Sequence, residues 1–131
     1  MIRYIQRLLM LGVSLIALGS CNYETPTEEV ESMVGVELRR KIKFIDREDQ
    51  WMGPDGYKIE TFEVVDPQVI PVSAMQSYDS LFVEQHYRRS ELYPYVESTA
   101  GYYLHVEEDN TYKHLFYDTV NQRMTYMLEI L

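Results

Sequence analysis

The stretch YYLHVEEDNTYKHLFYDTVNQRMTYMLEI, residues 102–130, decides the fold. Glu108-Asp109-Asn110-Thr111 and Thr119-Val120-Asn121-Gln122 are clusters of turn-forming residues that separate three alternating runs. Alternation with a period of two, broken by such clusters, is the pattern of antiparallel strands, and three in succession make a β-meander. A two-residue loop at Asp109-Asn110 sets 106 opposite 113, 105 opposite 114 and 104 opposite 115. A two-residue loop at Val120-Asn121 sets 118 opposite 123 and 115 opposite 126. One face then collects Tyr102, Leu104, Val106, Leu115, Tyr117, Met124, Tyr126, Leu128 and Ile130, interrupted only by Lys113. The same register sets Asp118 against Arg123, a favourable cross-strand pair.

Upstream, Ser73 to Arg89 is expected to be the main helix. Ser73 and Gln76 form a capping box, and Met75, Tyr78, Leu81, Phe82 and His86 recur at helical spacing. Ser90 to Gly101 follows as an irregular, tyrosine-bearing loop around Pro94. Val36, Leu38, Ile42 and Phe44 alternate with charged residues as in a half-buried strand, with Arg40 on the apolar side. Asp46 to Gly56 reads as a polar loop closed by the turn residues Gly53-Pro54-Asp55-Gly56. Tyr57 to Val65 is a second strand, with a bulge expected where its alternation slips between Ile59 and Phe62. Gln68 to Val72 is a candidate short edge strand between Pro67 and Pro71. Thr25-Pro26-Thr27-Glu28 has the residues of a helix start, and Gly35 is placed to stop a short helix carrying Val30, Met33 and Val34. An extended acidic linker is the competing reading of that segment.

These elements add up to a single α+β domain over residues 36–131. It is an antiparallel sheet with a C-terminal β-meander and one main helix packed on it. A small β-barrel or sandwich is the alternative if Ser73 to Arg89 is not helical. The length of 131 residues fits one domain. A formal charge of −9, from 12 basic and 21 acidic side chains, argues against nucleic-acid binding, which needs clustered Lys and Arg. One cysteine excludes an intrachain disulfide framework and any multi-cysteine metal site.

That cysteine ends a distinctive N-terminal segment. Arg3 and Arg7 precede an apolar run of 11 residues, Leu8 to Leu18, with no acidic residue nearby. The run is short for a bilayer core of about 30 Å, which takes roughly 20 residues of helix, and has the size of a signal-peptide core. Leu18-Gly19-Ser20-Cys21 then resembles the lipobox of bacterial lipoprotein precursors. The resemblance implies that residues 1–20 are removed, that Cys21 is lipidated, and that residues 21–35 serve as tether or short helix. It says nothing of the fold beyond. Several acyl chains together anchor stably, since each buried methylene contributes about 0.8 kcal/mol. Asn22 stands where an aspartate would signal inner-membrane retention in enteric bacteria, so the expected address is the outer membrane. The first 20 residues hold two of the 12 basic side chains and no acidic one, so the remainder carries 10 against 21, a net −11. Such acidity favours a cationic envelope protein as partner and also simply keeps a secreted domain soluble.

The meander register places His105 opposite His114, with Glu107 and Tyr112 beside them. Two imidazoles and a carboxylate on adjacent strands are three candidate ligands for Zn²⁺. They are also a candidate pH-sensitive pair, because two facing imidazolium ions repel. The plainer alternative is a wet sheet face of polar and aromatic residues. On that face Tyr103, Tyr112, His114 and Phe116 form a candidate partner surface, since exposed aromatic rings are enriched in recognition. Asp46, Glu48 and Asp49 lack the glycine of an EF-hand loop. With no phosphate loop, nucleophile elbow or HExxH motif, enzyme activity is disfavoured. The expected function is a non-enzymatic protein-binding or inhibitor module at the envelope. The alternatives are a small metal-binding or hydrolytic lipoprotein using the His105/His114 face, and an accessory subunit of an envelope complex.

Overall fold

The computed structural model describes residues 25–131, so the signal segment, the lipobox and Cys21 lie outside the described residues. The chain forms one six-stranded antiparallel sheet of the α+β class. Its strands are β1 (Ile42–Met52), β2 (Asp55–Val64), β3 (Gln76–Tyr78), β4 (Gly101–Glu108), β5 (Thr111–Asp118) and β6 (Arg123–Ile130). The helices are α1 (Pro26–Val34), α2 (Ser80–Tyr87) and the single turn α3 (Tyr93–Val96). The spatial order is β1-β2-β6-β5-β4-β3, an open sheet and not a barrel or sandwich.

The meander has the register read from its turns. Val106 faces Lys113, His105 faces His114, Leu104 faces Leu115, Leu115 faces Tyr126 and Asp118 faces Arg123. The helix start at Thr25 also stands. Thr25 Oγ1 accepts from the Glu28 amide at 3.2 Å, Glu28 reaches back to the Thr25 amide, and Gly35 caps the other end at φ 77°. That positive φ is what glycine supplies at a helix C-terminus.

Five expectations are corrected. The first strand does not begin at Val36. Leu38 closes a turn by accepting from the Lys41 and Ile42 amides, and Arg40 takes φ 64°, which turns it to solvent. Asp46 to Gly56 is not a loop: Asp46 to Met52 completes β1, and Asp55 and Gly56 open β2. An edge strand has one neighbour only, and β1 is exposed along nearly its whole length, so it needs no apolar alternation. The bulge lies in β1, between Phe44 and Asp46, whereas β2 pairs without a break against β6. The slip between Ile59 and Phe62 arises because these residues point to opposite faces and both faces are buried. Gln68 to Val72 is no strand, since Pro67 and Pro71 impose two 3₁₀ turns instead.

The main helix is shorter than Ser73 to Arg89, because Gln76 to Tyr78 is drawn into the sheet against Gly101 to Tyr103. The working cap is Asp79, which accepts from the Phe82 amide at 2.9 Å. Asp79→Ala should therefore cost about 1 kcal/mol in urea unfolding. Ser73→Ala should stay within about 0.5 kcal/mol, as for an exposed surface change. The reverse ranking would return the cap to Ser73.

The sheet is covered on both sides. On one, α1 and the segment around Ile70 and Met75 bury Phe62, Leu115, Tyr117, Met124 and Tyr126. On the other, residues 78–96 with α2 and α3 bury Ile59, Phe116 and Met127. The second cover was not expected, and it decides what the candidate site can be.

Candidate functional site

Phe116 belongs to the interior, at 1% exposure. Its ring meets Tyr78 and Tyr87 edge-on, with centroids 5.0 and 4.9 Å away, and stacks on Tyr103. Tyr103 is half-buried and stacks in turn on Phe82 of α2 at 4.7 Å. Tyr112 and His114 are half-buried. The four residues expected to form an open partner surface therefore do not form one: α2 lies over Tyr103, His114 and Phe116. The sequence carried a signal for this, because Leu115-Phe116-Tyr117 is an unbroken apolar run, as in a strand buried on both faces.

At the rim of that cover the histidine pair does assemble. The His105 and His114 rings meet tilted by 45° at a 4.6 Å centroid distance, with Nδ1 to Nδ1 at 3.1 Å. Glu107 Oε1 is 3.0 Å from His105 Nε2, and Tyr87 Oη is 3.1 Å from His114 Nδ1. One assignment of protons satisfies all three contacts with neutral rings. His105 donates Nε2–H to Glu107, and His114 Nδ1–H is shared between His105 Nδ1 and the Tyr87 oxygen. Burial pushes His114 down to about 4, and the facing His105 adds to this while Glu107 opposes it. Burial likewise pushes the Tyr87 hydroxyl up to about 12. The pair opens on a groove of about 390 Å³ lined by Phe82, His86, Tyr87 and Tyr103.

The three-ligand zinc reading of His105, His114 and Glu107 is corrected here. Glu107 and His114 meet opposite nitrogens of the His105 ring, and one ring cannot turn both nitrogens to one ion. Among the described residues no group of three or more His, Cys, Asp or Glu is arranged to hold a metal ion.

A second and larger concavity, about 540 Å³, lies between β1 and the α3 segment. Tyr78, Val96 and Phe116 contribute apolar wall; Thr61, Thr125, Asp46, Asp118 and Arg123 contribute polar groups. Tyr95 donates its hydroxyl to Glu48 of β1, and this bond is the main reason that the phenol is raised to about 12. Asp118 and Arg123 face each other as expected, yet the Asp118 carboxylate is engaged by its own turn. It accepts from the Val120 amide at 3.0 Å and from Asn121 Nδ2 at 2.8 Å. No carboxylate of the described residues lies within 4 Å of Arg123, which leaves a cation at the cleft. Asp46 and Glu48 sit on the cleft side of β1, while Asp49 pairs with Arg47 at 3.0 Å on the other.

β1 itself is the other open feature. It forms a free edge of 11 residues and exposes Phe44, Ile45, Trp51 and Met52. Reading Asp46 to Gly56 as a loop hid this edge. The signal for it was Ile42, Phe44, Ile45 and Trp51 within one charged run. No helix among the described residues is long and apolar enough to cross a membrane. No family model, curated protein or solved structure matches the chain.

Proposed function

We propose that this chain is a lipoprotein held at the cell envelope, in the outer membrane, through lipid on Cys21. In this reading its folded part is a non-enzymatic protein-binding or inhibitor module. The observation that carries the binding role is the free, apolar-studded edge of β1 beside the 540 Å³ cleft. A long edge with unpaired amides and carbonyls is a template for strand addition, in which backbone bonds give affinity and side-chain pockets give specificity. The occupant we assign is an extended, basic segment of a partner protein. Alternate side chains of such a segment would pass Asp46 and Glu48, and the net charge of −11 left after residues 1–20 are removed would speed its approach. Binding moves from the Tyr103/Phe116 face to β1 because α2 covers the former. Lipobox and acidity support the location and the sign of the partner.

A photo-cross-linking residue placed at Met52, which is 86% exposed, tests this against the same residue at Glu28 on α1. The expected product joins position 52 to a Lys/Arg-rich extended segment, and Trp51→Glu suppresses it. A synthetic peptide of that segment should shift the emission of Trp51, the single tryptophan. Cross-links formed only from position 28, or to an acidic segment, would defeat the reading.

A further inference from the structure

All three histidines of the chain line one groove, His86 from α2 and the facing pair from β4 and β5. The pair turns like nitrogens together, Nδ1 to Nδ1 at 3.1 Å, and the other nitrogen of His105 is held by Glu107 at 3.0 Å. An imidazole that gives Nε2–H to a carboxylate presents its lone pair at Nδ1. A carboxylate behind the ring is also the usual setting of a metal-ligating histidine. Two nitrogens at that separation, each about 2.05 Å from a common ion, subtend about 98°. That angle lies between those of square-planar and tetrahedral coordination.

We propose that His105 and His114 bind one late first-row divalent ion through their Nδ1 atoms, with Glu107 orienting His105 from behind. Cu²⁺ is the tightest of the series, as expected for imidazole donors. The ion replaces the proton now shared between the two rings, and that proton moves to Nε2 of His114. Both rings are neutral before and after, so the exchange is a tautomer change with no net release. The remaining positions open on the groove beside Phe82 and Tyr103, where water completes the shell. Tyr87 Oη, 3.1 Å from His114 Nδ1, gives up its bond to that nitrogen. Here Glu107 is no ligand, in contrast to the three-ligand arrangement excluded above. The site is remote from β1, so its failure would leave the binding-module reading standing.

The test is a CuCl₂ titration of the purified chain carrying Cys21→Ser, which removes the one thiol. One equivalent should bind, with an electron paramagnetic resonance spectrum showing coupling to two imidazole nitrogens. His105→Ala alters an exposed residue, so the fold should survive, and it should abolish the two-nitrogen signal. His114→Gln should do the same, and Glu107→Gln should weaken binding by about 10–100-fold. His86→Ala should leave it intact. The proposal is overturned if no equivalent binds, if His105→Ala binds as before, or if His86→Ala alone abolishes the signal.

Discussion

Lys58→Met should destabilise the protein by about 3–5 kcal/mol, lowering its melting temperature by at least roughly 10 °C. Lys58 reaches from β2 beneath α1, where its ammonium lies 2.6 Å from the Glu29 carboxylate and 3.4 Å from Glu60 Oε1. Glu60 is fully buried and neither of its carboxylate oxygens accepts a hydrogen bond. The ammonium is thus the main compensation for a charge that has left water, and removing it leaves two carboxylates facing each other. Lys58→Met combined with Glu60→Leu should recover most of the loss, since Glu29 can swing outward while an apolar pair fills the space. If the single variant costs under 1 kcal/mol, the triad behaves as an exposed surface pair does.

The same triad has a pH signature. Burial raises the Glu60 carboxyl above its ordinary value, and the Glu29 carboxylate adds to the shift while Lys58 opposes it. The folded state therefore holds a proton that the unfolded chain releases between pH 4.5 and the raised value. Through that window stability grows as pH falls. His114 acts in the opposite direction. Its folded value of about 4 lies below the ordinary 6.5, so the unfolded chain gains a proton first and stability falls as pH drops from 6.5 to 4. The two slopes offset in the protein as it stands. Glu60→Gln should expose the acid-destabilising slope of His114, and His114→Gln the reverse.

The meander was legible because its information is local: two clusters of turn residues fix the register, and the apolar face confirms it. The α1 cap was legible for the same reason, being written in Thr25, Pro26, Glu28 and Gly35. What eluded sequence reasoning was long-range. Met75 and Tyr78 keep helical spacing, but pairing with Gly101 to Tyr103 outweighs it, and each side chain enters a different core. Asp46 to Met52 is polar because β1 is an edge, a property of sheet order that no local pattern contains. The histidine register was readable, while the approach of Tyr87 depends on how the 79–100 segment folds back.

Phe116→Ala separates the two readings of that covered face most sharply. On an open face the substitution would change stability by no more than about 0.5 kcal/mol. At 1% exposure, with three tyrosine rings around it, the expected loss is about 3–5 kcal/mol in urea unfolding. The cavity lies directly beneath Tyr87, so the damage should spread to the seat of α2 and from there to His114. Burial is the leading cause of the low His114 value and the facing His105 the lesser one. Loosening α2 should accordingly bring His114, followed by its imidazole proton resonances, back from about 4 towards 6.5. His105→Ala should move it less, because it removes only the smaller cause. A His114 that still titrates near 4 in Phe116→Ala, but not in His105→Ala, would show that the neighbouring ring and not the helical cover keeps it neutral. The groove would then owe its chemistry to the sheet alone.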